Sequence, residues 1–202
     1  MTNKHHLILA SSSPRRKELL GHLKIPFTIL TKHTDEISQH AEPSLFAAEI
    51  AAQKGEVVAH SLSQSHAIIV SADTVVAFNG KIYGKPVDAH EARQFLSELS
   101  GNTHSVFTAV HIIKKDNDVF SHRSFVEESK VNFDKISDHL MDTYIATGDS
   151  LDKAGAYGIQ GGSLAFISKV DGCYANVVGF PLSRFVREME KWLGEDLWLK
   201  QF

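Results

Sequence analysis

The segment Ser11-Ser12-Ser13-Pro14-Arg15-Arg16 follows a short apolar run, Leu7-Ile8-Leu9-Ala10. Ser13 suits a helix N-cap, and Pro14 suits the first helical position, where its missing N–H costs nothing. A strand–turn–helix entry of this kind aims free backbone N–H groups and the positive end of the helix at an anion. The two adjacent arginines add two-pronged donors. That is phosphate-binding chemistry, or, on the plainer reading, a well-capped surface helix with two solvated arginines. Asp73 lies in Ser71-Ala72-Asp73-Thr74, between the apolar runs 67–70 and 75–78. The pattern reads as one strand breaking before the next. A carboxylate at such a break suits a general base, a metal ligand or a simple turn. Lys85, between Gly84 and Pro86, is either a ligand-facing cation or the charge at a hairpin end.

A second chemical segment is Asp152-Lys153-Ala154-Gly155-Ala156-Tyr157-Gly158-Ile159-Gln160-Gly161. Small residues let a backbone approach a ligand, while Tyr157 and Gln160 suit stacking on and hydrogen bonding to a planar base. The alternative is a glycine-rich turn with one buried tyrosine. Together, a basic helix start, acidic groups and a planar-ligand loop point to a nucleotide polyphosphate. Familiar phosphate and nucleophile motifs are absent: neither G-x-x-x-x-G-K-[ST] nor G-x-S-x-G occurs. The twelve histidines are scattered along the chain without H-E-x-x-H spacing, and read as incidental.

These groups need elements to hold them. Residues 7–10 and 27–30 read as strands, with a helix from Pro14 between them and a long polar loop over residues 31–42. Periodicity predicts a helix from Ser44 to about His60, with positions 47, 50, 51, 54 and 58 on one stripe. Lys54 falls in that apolar row, where spacing alone reads it as a snorkelling side chain. Asn79-Gly80 signals a hairpin, and Asp88 with Glu91 a capping box for a helix ending before Gly101. Strands over residues 106–113 and 119–133, a helix capped by Ser137, a strand near 164–170 and an amphipathic helix from Pro181 complete the pattern. Strands mixed with helices and hairpins indicate an α/β or α+β fold with a mixed sheet.

Composition sets the outer bounds. With 202 residues, 43% hydrophobic and 22% charged, the chain can bury a full core. A net charge of −3 and the lack of an aromatic-and-basic face disfavour a nucleic-acid or membrane-surface partner. The single Cys173 excludes an intrachain disulfide framework. No apolar run approaches the ~20 residues of a membrane span, and the short run after Lys4 reads as a strand and not an export signal, so the expected location is cytoplasmic.

The chain resembles the Maf family of nucleoside triphosphate pyrophosphatases. The resemblance is carried by residues 10–20, by Ala72-Asp73-Thr74-Val75-Val76 with Gly84-Lys85-Pro86, by residues 152–161, by Leu99-Ser100-Gly101, and by Asn176-Val177-Val178-Gly179-Phe180-Pro181-Leu182. It implies a two-lobed α/β fold, similar to inosine triphosphate pyrophosphatases. One domain over residues 1–202 would carry a long mixed sheet and a substrate cleft between the lobes, often as a homodimer. It also implies release of pyrophosphate from a nucleoside triphosphate, dTTP or UTP by the Thr74 and Gln160 positions. Asp73 matches the family's proposed base. Ser11, Arg15, Arg16, Thr74 and Gln160 match substrate-facing positions, and Lys54 and Lys85 match cations of the cleft. Glu36 and Asp73 would hold Mg²⁺ or Mn²⁺. The resemblance therefore moves Lys54 from a snorkelling side chain to a cleft lysine. Gly55 is a small departure, since alanine is usual after that lysine. A sister activity on 7-methyl-GTP, and a non-catalytic nucleotide-binding regulator of septation, are the alternative expectations.

Overall fold

Leu7, Ile8 and Leu9 are all buried because β1 (His6–Leu9) is covered on both faces. The computed structural model, which describes residues 4–194 and 198–201, places β1 parallel to both β2 (Phe27–Ile29) and β3 (His66–Phe78). Parallel strands without an exposed face read as continuous apolar runs. Between β1 and β2 stands α1 (Pro14–Gly21), started by Ser13, whose side chain accepts from the Arg16 N–H. The predicted long helix is α2 (Pro43–Ser61), with Ala47, Ile50, Ala51, Val58 and Ala59 packed on the sheet.

β3 corrects the expected break at Ser71–Thr74. It is one continuous strand of 13 residues. Its antiparallel partner β5 (Thr103–Asp116) pairs with it from His66 opposite Asp116 to Ala77 opposite Ser105. That uninterrupted ladder carries the polar residues through, and buried Ser71 donates its hydroxyl to the Ala51 carbonyl of α2 at 2.6 Å. Polarity alone mimicked a strand end. The Asn79-Gly80 turn leads into β4 (Lys81–Tyr83), and α3 (Ala89–Leu99) starts at Asp88, which accepts from Glu91 N–H. β6 (Val119–Phe133) pairs along the whole of β5. After α4 (Asp138–Ala146), a short 3₁₀ turn occupies Gly162–Ala165, and β7 (Ile167–Asp171) begins later than its apolar residues suggested. α5 (Tyr174–Val178) and α6 (Leu182–Leu193) follow.

The sheet order is β2-β1-β3-β5-β6-β7, with β4 added to β3. Apolar material lies on both faces: α2 covers Ile69, Val75, Ala109 and Ile113, while Phe180, Phe185 and Met189 cover Ile68, Val70, Val110 and Ile112. A further cluster at the other end joins Tyr83, Phe95, Phe133, Tyr157 and Phe166. The site follows from where β1 stops. It pairs with β3 only as far as Val70, and the pairing of β3 with β4 begins at Val76, opposite Tyr83. The edge of β3 between them is left without a strand neighbour, next to the carboxyl end of a parallel strand. Such crevices are where open α/β sheets admit ligands. No described helix is long and apolar enough to cross a membrane.

Candidate active site

Asp73 and Thr74 sit on that open stretch of β3, and alternation sends their side chains to opposite faces. Asp73 turns toward α2. Its Oδ1 accepts from Lys54 Nζ at 2.7 Å, and the same ammonium lies 3.0 Å from Glu36 Oε2. The Lys54 side chain is 19% exposed and Asp73 13%. Lys54 is therefore an enclosed cation between two carboxylates and does not snorkel to solvent, which corrects the reading from spacing. Glu36 arrives from the loop after β2 with a left-handed backbone, φ 50°, and Gln53 of α2 fastens that loop by donating to the Ile37 carbonyl at 2.7 Å. A left-handed glutamate is unfavourable in isolation and persists where surrounding contacts impose it.

Thr74 turns toward α1. Its Oγ1 accepts from Arg16 Nη2 at 3.1 Å and lies 2.9 Å from Thr108 Oγ1, which donates to the Asn176 carbonyl at 2.9 Å. With the Thr108 proton committed to that carbonyl, Thr74 donates to Thr108. Arg16 also donates from Nε to the Gly179 carbonyl at 2.9 Å and from Nη1 to Ser11 Oγ at 3.2 Å. Burial pulls the Arg16 pKa below its ordinary value, against the opposing pull of the Asp73 charge. Arg16 thus ties α1, β3 and the end of α5 together. The neighbouring Arg15 faces Asp152, with Nη1 3.6 Å from Oδ2. Its backbone N–H, at the second helical position, has no acceptor within the helix. Burial works against the Asp152 carboxylate, but Lys153 and Arg15 outweigh it and hold its pKa below the usual range.

All nine side chains singled out in the sequence line one cavity of about 600 Å³: Ser11, Arg15, Arg16, Glu36, Lys54, Asp73, Thr74, Lys85 and Gln160. Lys85 and Gln160 are exposed on its rim, without a side-chain hydrogen bond among the described residues. Gln160 is carried by a loop whose shape depends on Gly155, at φ 68°. A Cβ there would meet Val76 at 2.9–3.1 Å. Tyr157 departs from expectation. Its ring packs edge-on against Phe133 and His104, its hydroxyl lies 2.7 Å from His104 Nε2, and only 5% of the residue is exposed. The stacking platform proposed for a planar ligand is instead a core tyrosine, whose pKa burial drives far up. Sequence reasoning also missed Thr108 and Asn176 as the supports of Thr74. Thr108 looks like any strand threonine, whereas Asn176 stood in a glycine-punctuated block that did attract notice.

The histidines are not simply scattered. The sheet and the elements packed on it gather His5, His66 and Asp116 at one point, and Glu56, His111 and His122 at another, both apart from the cavity. Within the cavity, the oxygen donors Glu36 and Asp73 converge on a single cationic centre, now the Lys54 ammonium. Hard oxygen donors around one positive charge fit Mg²⁺ or Mn²⁺. In chemical terms the cavity offers a carboxylate able to take a proton, cations on several sides, and a helix start for an anion.

The chain is similar to known proteins along most of its length. The family described as Maf-like protein matches residues 6–192. A dTTP/UTP pyrophosphatase of Bacillus cytotoxicus is 42% identical over 185 residues, covering 91% of this chain and 94% of the relative. One of Bacillus cereus is 43% identical over 190 residues, covering 94% and 91%. Among solved structures, the Staphylococcus aureus Ham1 protein aligns with a TM-score of 0.38 and 12% identity over 63% of this chain and 71% of that one, a likeness too loose to build on.

Proposed function

Because this chain belongs to the Maf-like protein family, we propose that its cavity hydrolyses dTTP and UTP to the nucleoside monophosphate and pyrophosphate. The observation that carries the chemistry is the Lys54–Asp73–Glu36 cluster, facing the basic start of α1 across one cavity. Water attacks the α-phosphorus, its proton passes to an Asp73 carboxylate oxygen, and the bond from the α-phosphorus to the bridging oxygen breaks. Pyrophosphate leaves carrying the bonding pair. Charge accumulates on that leaving group, so cations lower the barrier more than covalent help would. Arg15, Lys85 and Lys54 are the groups that meet it. Lys54 can exchange a carboxylate for a phosphate oxygen without leaving its position on α2. Arg16, already committed to three protein acceptors, holds the phosphate-binding turn in shape together with Ser11. Glu36 and Asp73 are the residues that would hold Mg²⁺ or Mn²⁺, whose charge would offset that of the triphosphate.

Base selection falls on Gln160, whose amide can answer the N3–H and carbonyl edge shared by uracil and thymine with its own acceptor and donor. Thr74 acts behind the substrate, because both its donor and one lone pair are used within the fold. The working state inferred is a single domain of two lobes, cytoplasmic, with a triphosphate substrate and, by family likeness, a second copy of the chain. A panel of nucleoside triphosphates with Mg²⁺ or Mn²⁺ tests the reading. dTTP and UTP should turn over within roughly tenfold of each other and ahead of the purine triphosphates. Faster turnover of 7-methyl-GTP would move the chain to the sister activity, and binding without turnover would remove the catalytic reading.

A further inference from the structure

We propose that Glu56, His111 and His122 form a second metal site, for a divalent transition ion of the zinc class, on the α2 face of the sheet and outside the cavity. The register of β5 and β6 sets His111 opposite Ser124 and His122 opposite Ile113. The two histidines are therefore diagonal neighbours on one face, with ring centroids 5.6 Å apart. α2 crosses that face and brings Glu56 down between them. Glu56 Oε1 lies 3.2 Å from His122 Nδ1 and 3.5 Å from His111 Nε2. The three donor atoms are all within 4.8 Å of one another.

The close approach of the helix depends on Gly55. A Cβ there would stand 2.6 Å from Ser71 Oγ, 3.2 Å from His111 Cδ2 and 3.3 Å from Ile113 Cδ1. Glycine at this position lets α2 settle onto His111.

The second, independent observation is His111 itself. The residue is 7% exposed, and its Nε2, aimed at the cluster, makes no hydrogen bond of good geometry, with Glu56 Oε1 3.5 Å away. Its other nitrogen, Nδ1, lies 2.6 Å from Ser124 Oγ. In the tautomer that donates Nδ1–H to that oxygen, the lone pair is on Nε2. This is the arrangement by which a second group fixes the tautomer of a metal-bound histidine. Burial lowers the His111 pKa, with Glu56 pulling the other way and His122 adding to the fall. The other Glu56 oxygen faces His60 Nδ1 at 3.7 Å.

Two imidazoles and one carboxylate suit Zn²⁺ or its late first-row neighbours better than Mg²⁺, and leave a coordination position open. Donors on such an ion stand about 3.3 Å apart. His122, with its side chain 43% exposed, is the member free to swing inward. The other cluster is a weaker candidate, because Asp116 already accepts from His5 and His66 through Oδ1 and pairs with Lys114 at 2.7 Å through Oδ2.

The test uses tag-free, chelator-stripped full-length protein in millimolar Mg²⁺, titrated with Zn²⁺ against a chromophoric chelator of micromolar affinity. One equivalent should be retained. His122→Ala and Glu56→Gln, both at partly exposed side chains, should each weaken retention tenfold or more, while His5→Ala leaves it unchanged. Co²⁺ should give tetrahedral visible bands in the parent protein that vanish in His122→Ala. Zn²⁺ at a hundredfold excess over its Kd should raise the Tm by about 5 °C or more. Failure to retain an equivalent would overturn the site, as would retention insensitive to His122→Ala and Glu56→Gln. Loss of binding in His5→Ala or Glu36→Gln instead would place the ion elsewhere and equally overturn it.

Discussion

Lys54 holds two carboxylates at once, with Nζ 2.7 Å from Asp73 and 3.0 Å from Glu36, and this single cation organises the reacting end of the cavity. Asp73→Asn keeps the side-chain shape but removes the charge and the basic oxygen. Turnover of dTTP should fall by about two orders of magnitude or more, with the thermal melt recorded alongside to separate lost chemistry from lost folding. A variant with near-normal turnover would show Asp73 to be neither base nor metal ligand. Gln160 makes the opposite kind of prediction. Gln160→Ala should shrink the preference for pyrimidine over purine triphosphates more than it lowers the best rate, since an unmade hydrogen bond in such a site costs about 1–3 kcal/mol. Equal losses on both substrate classes, measured as kcat/KM, would make Gln160 a shaping residue of the loop. Most of the cavity-lining residues were legible because they stood in motifs with unusual local chemistry, whereas Glu36 and the cleft role of Lys54 came only with the family resemblance. Thr108 and Tyr157 were not. Their partners come from 34 and 53 residues away, and no local spacing reports a contact made through sheet register.

At the scale of elements, the start of α1 and the loop after α4 approach each other through Arg15 and Asp152, and each depends on its own backbone device. For α1 the device is the Ser13 cap and Pro14, both apparent from sequence. For the loop it is Gly155 at φ 68° against Val76. Gly155→Ala should destabilise the protein by about 2 kcal/mol or more, from the left-handed backbone and the crowding together. It should also raise KM for dTTP by displacing Gln160. Urea titration and steady-state kinetics on one preparation check both, and an unchanged midpoint with unchanged KM would contradict the role given to this glycine. Helices and hairpins followed their capping and turn residues closely. The expected break in β3 did not occur, because β5 pairs past Ser71–Thr74 without interruption. A strand crossing a functional crevice carries polar residues that imitate a turn. The histidine clusters stayed hidden because the three residues of each stand apart in sequence and meet only through the fold.

For the whole molecule, a net charge of −3 is no obstacle to binding a polyanion, because the cavity gathers Arg15, Arg16, Lys54 and Lys85 locally. Its grip on triphosphate should weaken as salt screens those charges. Global stability has its own titrating group. Burial lowers the His104 pKa from 6.5 to about 4, so the unfolded chain takes up this proton first as the pH drops. Stability is fully present above pH 6.5 and is lost as the pH falls toward 4, by on the order of 3 kcal/mol in total and about 2 kcal/mol by pH 5. Denaturant titrations at pH 7 and pH 5 should show that loss, and His104→Gln should flatten it. An equal pH dependence in the variant would assign the loss to other groups. The claim on which the functional account depends most is attack at the α-phosphorus by water within this cavity. Hydrolysis of dTTP in ¹⁸O-water, with products resolved by mass, tests it directly. The account predicts one labelled oxygen in dTMP and none in an equimolar yield of pyrophosphate. Label in pyrophosphate, or release of orthophosphate with a nucleoside diphosphate, would contradict it.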